Sequence, residues 1–523
     1  MKFCIHMSNN FESSDLATFD SSLVSLGESI FVREHTESNL ENTLSICLLI
    51  NHPVVLNAAF LDSVSKAHSD PSIKITYTDH SWISSANSKH QVIRPPAWSP
   101  ERFLSVDYLG PVICVNSEIV DLYLRDSVQH DSLDELKISE LRTEILLSSL
   151  EVGHQIKHVE VVGYSVNSEM WIPETNTRRE QIQKFLSTHR PQSKILNSHT
   201  PWGIVSNVGL APNKISIVIP TRGSKKNLFG SALITECIKS LLDQDFGKSN
   251  IEVIIVFDSD VNLNYLAEIK KIKKPGLELI FIEYPPPFNF SKKCNLGAES
   301  ATGEVVLFLN DDTIWISPNS LLEIAGCAML DGVGAVGSKL LFENGSIQHA
   351  GYIMRNGFVG HAYMKDVDGF GPFGDLVVTH EVVGVTGACL AQRKEIWESV
   401  GKWNESFPAS YNDVDYCFRI TESGLSILQV NQAKLKHFES VTRNPKVYPR
   451  EREMIEQLWG HKFKVEPFFR MAVTTPEMRA IRGNTLVRYV NYARATFRRQ
   501  GVLGLWGLLL NVGRKTFSPK AKT

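Results

Sequence analysis

Val305–Thr313 reads VVLFLNDDT. The apolar run Val305–Leu309 predicts a strand buried on both faces, and it leads straight into Asn310, Asp311 and Asp312. That triplet then sits at the carboxyl end of a strand, where open α/β sheets bind their ligands. An amide and two carboxylates crowded together repel one another unless something positive lies between them. A divalent cation carrying a diphosphate meets that need, because hard cations take oxygen ligands. Taken alone, the stretch reads as a polar strand-to-loop turn, since Asn and Asp are good turn formers. The residues around it decide otherwise.

From Ile215 to about Asn444 predicted strands and helices alternate, the pattern of a mainly parallel sheet with helices on its faces. ISIVIP (Ile215–Pro220) is a buried strand followed by the polar loop TRGSKKN. The next helix places Ile234, Cys237, Ile238, Leu241 and Leu242 on one face. IEVIIVFDSD is a second strand ending in Asp258, and LELIFIEY a third. A helix over Ser291–Ala301 leads into the strand that carries Asn310-Asp311-Asp312. The layout is that of a nucleotide-binding βαβ half, yet it lacks GxGxxG and GxxxxGK[ST], so a metal is the natural way to hold phosphates.

Further on, TGACLAQRKEIWESVGKWNE predicts strand, turn and helix, and SYNDVDYCFRITESG opens a helix with Asn412, Asp413 and Asp415. Asp415 reads as an acidic residue capping the helix start. Asp413, held beside a metal-diphosphate site, reads as a general base. After the strand GLSILQV, AKLKHFES places His437 among polar neighbours. Carboxylate pair, carboxylate and histidine thus follow one another as a metal-assisted transfer site would need. Lys292 and Lys293 read as a solvated helix start.

Seven pieces in order, IVIPTRG, the Asp258 strand end, PFNFSKKCNLGAESATGEVVLFLNDDT, GAVGSKLLFENGSIQHAG, VTGACLAQR, YNDVDYCFR and HFESVTR, closely resemble an inverting family 2 glycosyltransferase of the GT-A fold. The type resembled is the bacterial surface-polysaccharide one (O-antigen or capsule, rhamnosyltransferase-like). The resemblance implies a Rossmann-like mixed sheet with helices on both faces. It implies that Thr221, Arg222, Asp258, Asn295, Asn310 and Asp311 face the donor nucleotide, that Asp312 and His437 bind Mg²⁺ or Mn²⁺, and that Asp413 is the catalytic base. His349 and His361 match pieces on the acceptor side, and Trp403 is a candidate for stacking on a sugar; structural packing is an equal reading for each. The first position of the DxD-like motif is the amide Asn310, and the family's DNGS-like loop is altered to Asp258-Ser259-Asp260. The implied partners are a nucleotide-diphosphate sugar donor and a lipid-linked glycan acceptor. A non-enzymatic glycan-binding or scaffold subunit and a sugar-nucleotide hydrolase are the alternatives.

At 523 residues, 43% hydrophobic and 21% charged, the chain predicts two or three globular domains. Its eight cysteines show no CxxC pair and, with no apolar leader after MKFCIHMSNN, read as reduced thiols of a cytoplasmic protein. Residues 1–200 carry a fainter resemblance to the later part of another GT-A domain, in IKITYTDHSWIS and RPPAWSPERFLSVDYLGPVICVNSEIV. Where acids are needed this segment has Asn51, His52 and Pro53, so it reads as a degenerate, non-catalytic GT-A-like domain, with Asp79 and His80 at its surface. Residues 201–445 form the expected catalytic domain, preceded by a linker over Arg190–Asn213. The region 446–523 is expected to be helical. Beyond Glu477 it has no acidic residue, while Arg479, Arg482, Arg488, Arg494, Arg498 and Arg499 are among its basic ones. A basic amphipathic helix of this kind suits the anionic inner face of the cytoplasmic membrane. Nucleic acid is not an expected partner, because no binding fold accompanies the basic tail.

Overall fold

The computed structural model describes residues 2–7, 30–32, 45–50, 52, 54–57, 59–83, 90–127, 138–167, 176–197, 203–225, 230–261, 263–355, 357–438 and 448–469. The basic tail beyond Glu477, and Asn51 and Pro53, lie outside them. The first part of the chain supplies strands β1 (Lys2–Met7), β2 (Ile30–Val32), β3 (Ser45–Ile50), β4 (Val54–Leu56), β5 (Ile73–Ile83), β6 (His90–Ile93), β7 (Val112–Asn116) and β8 (Gln155–Asn167). They form an eight-stranded sheet in the order β2-β1-β3-β7-β5-β8-β4, with β6 on β5. A hairpin of β9 (Lys194–Leu196) and β10 (Ile204–Ser206) follows.

The second sheet is built from β11 (Lys214–Thr221), β12 (Asn250–Asp258), β13 (Leu277–Tyr284), β14 (Val305–Leu309), β15 (Thr313–Trp315), β16 (Val333–Leu341), β17 (Ile347–His349), β20 (His380–Glu381), β21 (Cys389–Arg393) and β22 (Ser426–His437). Between β17 and β20, β18 (Tyr352–Arg355) and β19 (Phe358–His361) make a separate hairpin. The ten-stranded order is β13-β12-β11-β14-β21-β16-β22-β15, with β17 on β16 and β20 on β22. This is the mixed α/β sheet expected from the sequence.

Strand interiors here are apolar on both faces because both faces are covered. Ile217, Ile219, Val253, Ile255 and Leu307 join one core with the helices Leu233–Leu242 and Ser320–Ala328. Their alternates Val218, Ile254, Val256, Val306 and Phe308 join another with the helices Phe290–Ser300 and Asn412–Glu422. The period of two in side-chain direction thus divides the residues of each strand between the two cores.

The two sheets share one pairing pattern. β2, β1 and β3 are parallel, as are β12, β11 and β14. β7 lies antiparallel to β3, as β21 does to β14. β5 is antiparallel to β7 and parallel to β8, as β16 is to β21 and to β22. β4 closes the pattern antiparallel to β8, as β15 does on β22. Equivalent strands also come in the same chain order, and β13 has no counterpart among the described residues. In chain order, positions 51–53 fall between β3 and β4 as Asn310-Asp311-Asp312 fall between β14 and β15.

The described parts of the expected linker over Arg190–Asn213 are instead packed structure: the main chain at Asn207 lies so close to Gly326 that a Cβ there would meet the Asn207 carbonyl at 1.9 Å. Cys114, Cys237, Cys294, Cys327, Cys389 and Cys417 are free and buried, whereas Cys47 is disulfide-bonded, which departs from an all-reduced set. The β1–β3 register sets Cys4 opposite Cys47. Among the described residues no helix is long and apolar enough to cross a membrane.

Candidate active site

The carboxyl ends of β11, β12 and β14 lie side by side, so the polar residues that end each strand meet. Asp258, at the end of β12, is 3% exposed and sits between two cations. Lys293 Nζ is 2.7 Å from its Oδ1, and Arg222 lies 3.1 Å from its Oδ2. Lys293 also donates to the Thr221 carbonyl at 2.8 Å. The ammonium is fully buried rather than solvated, which corrects the sequence reading, and burial holds its pKa below the usual lysine value. Thr221 Oγ1 donates to Asp311 Oδ2 at 2.5 Å. Desolvation, and then the charge of Asp312, push the Asp311 carboxyl up to about 7.

Asp312 and His437 come together through β15 and β22, whose register opposes Thr313 to His437. The expected strand GLSILQV runs on without a break through AKLKH, so His437 is the last residue of β22. Asp312 Oδ1 lies 3.0 Å from His437 Nε2, yet this buried oxygen accepts no aligned hydrogen bond. Asn310 Nδ2 lies 3.2 Å from the same imidazole nitrogen, and His437 Nδ1 is 2.7 Å from Gln348 Oε1.

Two ligands on adjacent corners of an octahedron with bonds of about 2.1 Å are about 3 Å apart. The Asp312–His437 pair fits a divalent cation in spacing and in donor type. Among the described residues no group of three or more acidic, histidine or cysteine side chains converges. An ion held by this pair would take its remaining oxygens from water or phosphate, the habit of Mg²⁺ in phosphate-binding sites.

Asp413 lies in the first turn of the helix Asn412–Glu422. Its Oδ2 accepts from the Tyr352 hydroxyl (2.7 Å), the Gly387 amide (2.9 Å) and the Thr386 hydroxyl (3.3 Å). Its Oδ1 accepts from the Val414 amide at 2.9 Å. The turn Thr386–Ala388 also reaches the strand end, because the Asn310 amide donates to the Ala388 carbonyl at 3.0 Å. Asp415 is not a cap. It is buried, paired with Arg419 at 3.0 Å, and accepts from Trp459 Nε1 at 2.9 Å.

His349 is buried, and burial followed by the nearby His361 and His437 holds its pKa well below the ordinary imidazole value. Its Nε2 accepts from the Thr386 amide at 3.2 Å, so the neutral ring carries its proton on Nδ1 and donates it to His361 Nδ1 at 2.8 Å. His349 thus braces the turn that donates to Asp413, and His361, half-buried, continues the chain outward.

Two expected roles meet packing instead. Trp403 is 2% exposed, stacked on Tyr416 with Phe308 edge-on, so neither ring face is open to a sugar. Asn295 is committed to it: its amide donates to the Trp403 carbonyl (3.0 Å) and accepts from the Trp403 amide (2.9 Å). Asp79 and His80 are buried rather than on the surface, with His158 2.8 Å from Asp79. Sequence reasoning missed Tyr352, and it read Lys293 as a solvated helix start and Gln348, with His349, as part of a family piece on the acceptor side; the structure sets Gln348 against His437.

Residues 216–401 match the glycosyl transferase family 2 model. The segment is a family 2 glycosyltransferase domain. Its matched span runs from β11 through the turn before Trp403, and so holds the Asp258, Asp311 and Asp312 strand ends, while Asp413 and His437 follow it. The chain is 28% identical over 392 residues to the O-antigen biosynthesis protein RfbC of Myxococcus xanthus, which covers 72% of this chain and 29% of that protein. It is 26% identical over 421 residues to the uncharacterised protein y4gI of Sinorhizobium fredii (strain NBRC 101917 / NGR234), covering 77% of this chain and 45% of that one. The chain spans less than half the length of these curated relatives. Among solved structures, the mannosyltransferase PcManGT from Pyrobaculum calidifontis, in complex with GDP-Man and Mn²⁺, is 15% identical with a TM-score of 0.35, over 61% of this chain and 85% of that one.

Proposed function

We propose that residues 201–445 are an inverting, metal-dependent glycosyltransferase domain that moves a sugar from a nucleotide-diphosphate donor to a glycan acceptor in surface-polysaccharide assembly. The observation that carries this reading is the 3.0 Å approach of Asp312 Oδ1 to His437 Nε2 at the mouth of a family 2 sheet. In this reading Asp312 and His437 hold Mg²⁺ or Mn²⁺, which when bound stabilises the negative charge that develops on the leaving diphosphate. Arg222 and Asp258 border the nucleotide pocket. Asp413 accepts the proton of the acceptor hydroxyl, and the Tyr352, Thr386 and Gly387 donors keep its carboxylate aimed. His349 acts behind it, through Thr386.

The O-antigen link of the Myxococcus relative supports a lipid-linked glycan as acceptor. The basic, acid-free composition beyond Glu477 supports contact with the anionic inner face of the cytoplasmic membrane. The first sheet, which repeats the pairing pattern with Asn51, His52 and Pro53 in place of the acidic triplet, is read as a degenerate GT-A-like domain without transfer activity.

Titration of Mn²⁺ and a panel of sugar nucleotides against the full chain tests the proposal. The expected result is metal-dependent donor binding that Asp312→Ala abolishes. Donor binding indifferent to Mn²⁺ and to Asp312 would overturn the metal reading. Turnover that no glycan acceptor raises would mark a sugar-nucleotide hydrolase instead.

A further inference from the structure

Gln348 lies in the middle of β17, 4% exposed, with its side-chain oxygen 2.7 Å from His437 Nδ1. An amide oxygen there accepts, so the imidazole must carry a proton on Nδ1. The neutral ring then turns the lone pair of Nε2 toward Asn310 Nδ2 at 3.2 Å and Asp312 Oδ1 at 3.0 Å. Side chains alternate along a strand, so adjacent residues of β17 point to opposite sides. Gln348 reaches His437, while His349 reaches Thr386 and the donors of Asp413.

We infer that Gln348 is a positioning residue for the metal site, fixing the tautomer and ring orientation of His437 so that its Nε2 lone pair is aimed beside the Asp312 carboxylate. The inference rests on the metal reading above for its consequence, though not for the orientation itself. A hydrogen bond to the remote nitrogen of a ligating histidine fixes its tautomer and raises its basicity, and losing one typically costs 10–100-fold in metal affinity. Gln348→Met keeps the volume and removes the acceptor. Gln348→Glu keeps an acceptor oxygen at the same reach.

The test uses the full chain with Mn²⁺ alone as probe, and thermal melting to check that each variant is folded. Nitrogen-15 histidine spectra of the metal-stripped protein are expected to give His437 as the Nδ1-protonated tautomer in the wild type and in Gln348→Glu. They are expected to give a mixture in Gln348→Met. Calorimetric Mn²⁺ affinity is expected to fall about 10–100-fold in Gln348→Met and to stay near wild type in Gln348→Glu. An unchanged tautomer together with unchanged Mn²⁺ affinity in Gln348→Met would overturn the inference, as would Gln348→Glu losing as much affinity as Gln348→Met. If the tautomer follows Gln348 while the wild type takes up no Mn²⁺, the orientation stands and the metal reading fails.

Discussion

At the residue scale, the site is a set of strand-end polar groups held in place by partners far away in sequence. Asp413 Oδ2 is surrounded by Tyr352, Thr386 and Gly387, so Asp413→Asn keeps the shape and loses the base. Transfer is expected to fall about 10²–10⁴-fold with donor affinity retained, measured by steady-state kinetics and calorimetry. The strand-end place of Asp312 and the helix-start place of Asp413 were legible in the apolar run and the helix pattern beside them, whereas the meeting of Asp312 with His437 was not. Lys293 was not legible either, since nothing local distinguishes it from the solvated Lys292 beside it. Only the fold shows that one ammonium is buried against Asp258 and the other is exposed. Lys293→Met removes the buried partner and leaves Asp258 to the half-exposed Arg222, an expected loss of about 3–5 kcal/mol read by denaturant unfolding.

At the scale of elements, close approach of helix to sheet decides how the strand ends are presented. The helix Phe290–Ser300 lies on β11 and β12 at Gly297, where an added Cβ would meet Val218 Cγ1 at 2.4 Å and Val256 Cγ2 at 3.1 Å. Gly297→Ala is expected to destabilise the protein by about 1–3 kcal/mol in thermal or urea unfolding, by overpacking that contact. The same helix carries Lys293, which holds Asp258, so the substitution is expected to weaken donor binding as well. The strands β11, β12, β13 and β14 were readable from apolar runs. The length of β22 was not, because its second part, NQAKLKH, alternates buried and half-buried positions and looks like a polar loop in isolation. Pairing with β15 and β16 makes it a strand.

Across the whole molecule, the two sheets are joined by a buried polar seam rather than a flexible connection. Arg102, in the helix Pro100–Ser105, pairs with Asp375, which also accepts from the Tyr363 hydroxyl. Phe373, Val377 and Val378 pack into the core of the first sheet. Arg102→Ala leaves Asp375 buried without its guanidinium, and a loss of about 3–5 kcal/mol is expected in unfolding of the full chain. Across the same seam Ser99 Oγ donates to Glu381, and burial, with Glu101 nearby, pushes the Glu381 carboxyl up to about 7 from 4.5. The folded state therefore binds this proton more tightly than the unfolded chain does, and stability from this group falls as pH rises from about 4.5 to about 7. Melting curves of Glu381→Gln are expected to fall less than wild type between pH 5 and pH 8.

Local polarity and periodicity were enough to place the α/β sheet, the acidic strand end and the helix that opens with Asn412 and Asp413, because those features depend on neighbours within one strand or turn. The tertiary structure alone decided which groups meet. It set His437 beside Asp312, sank Lys293 beneath Asp258, withdrew Trp403 into the core and aimed Gln348 at an imidazole 89 residues away. Such contacts follow from strand register and from the burial of charge across distant segments, neither of which is encoded within a short window of sequence.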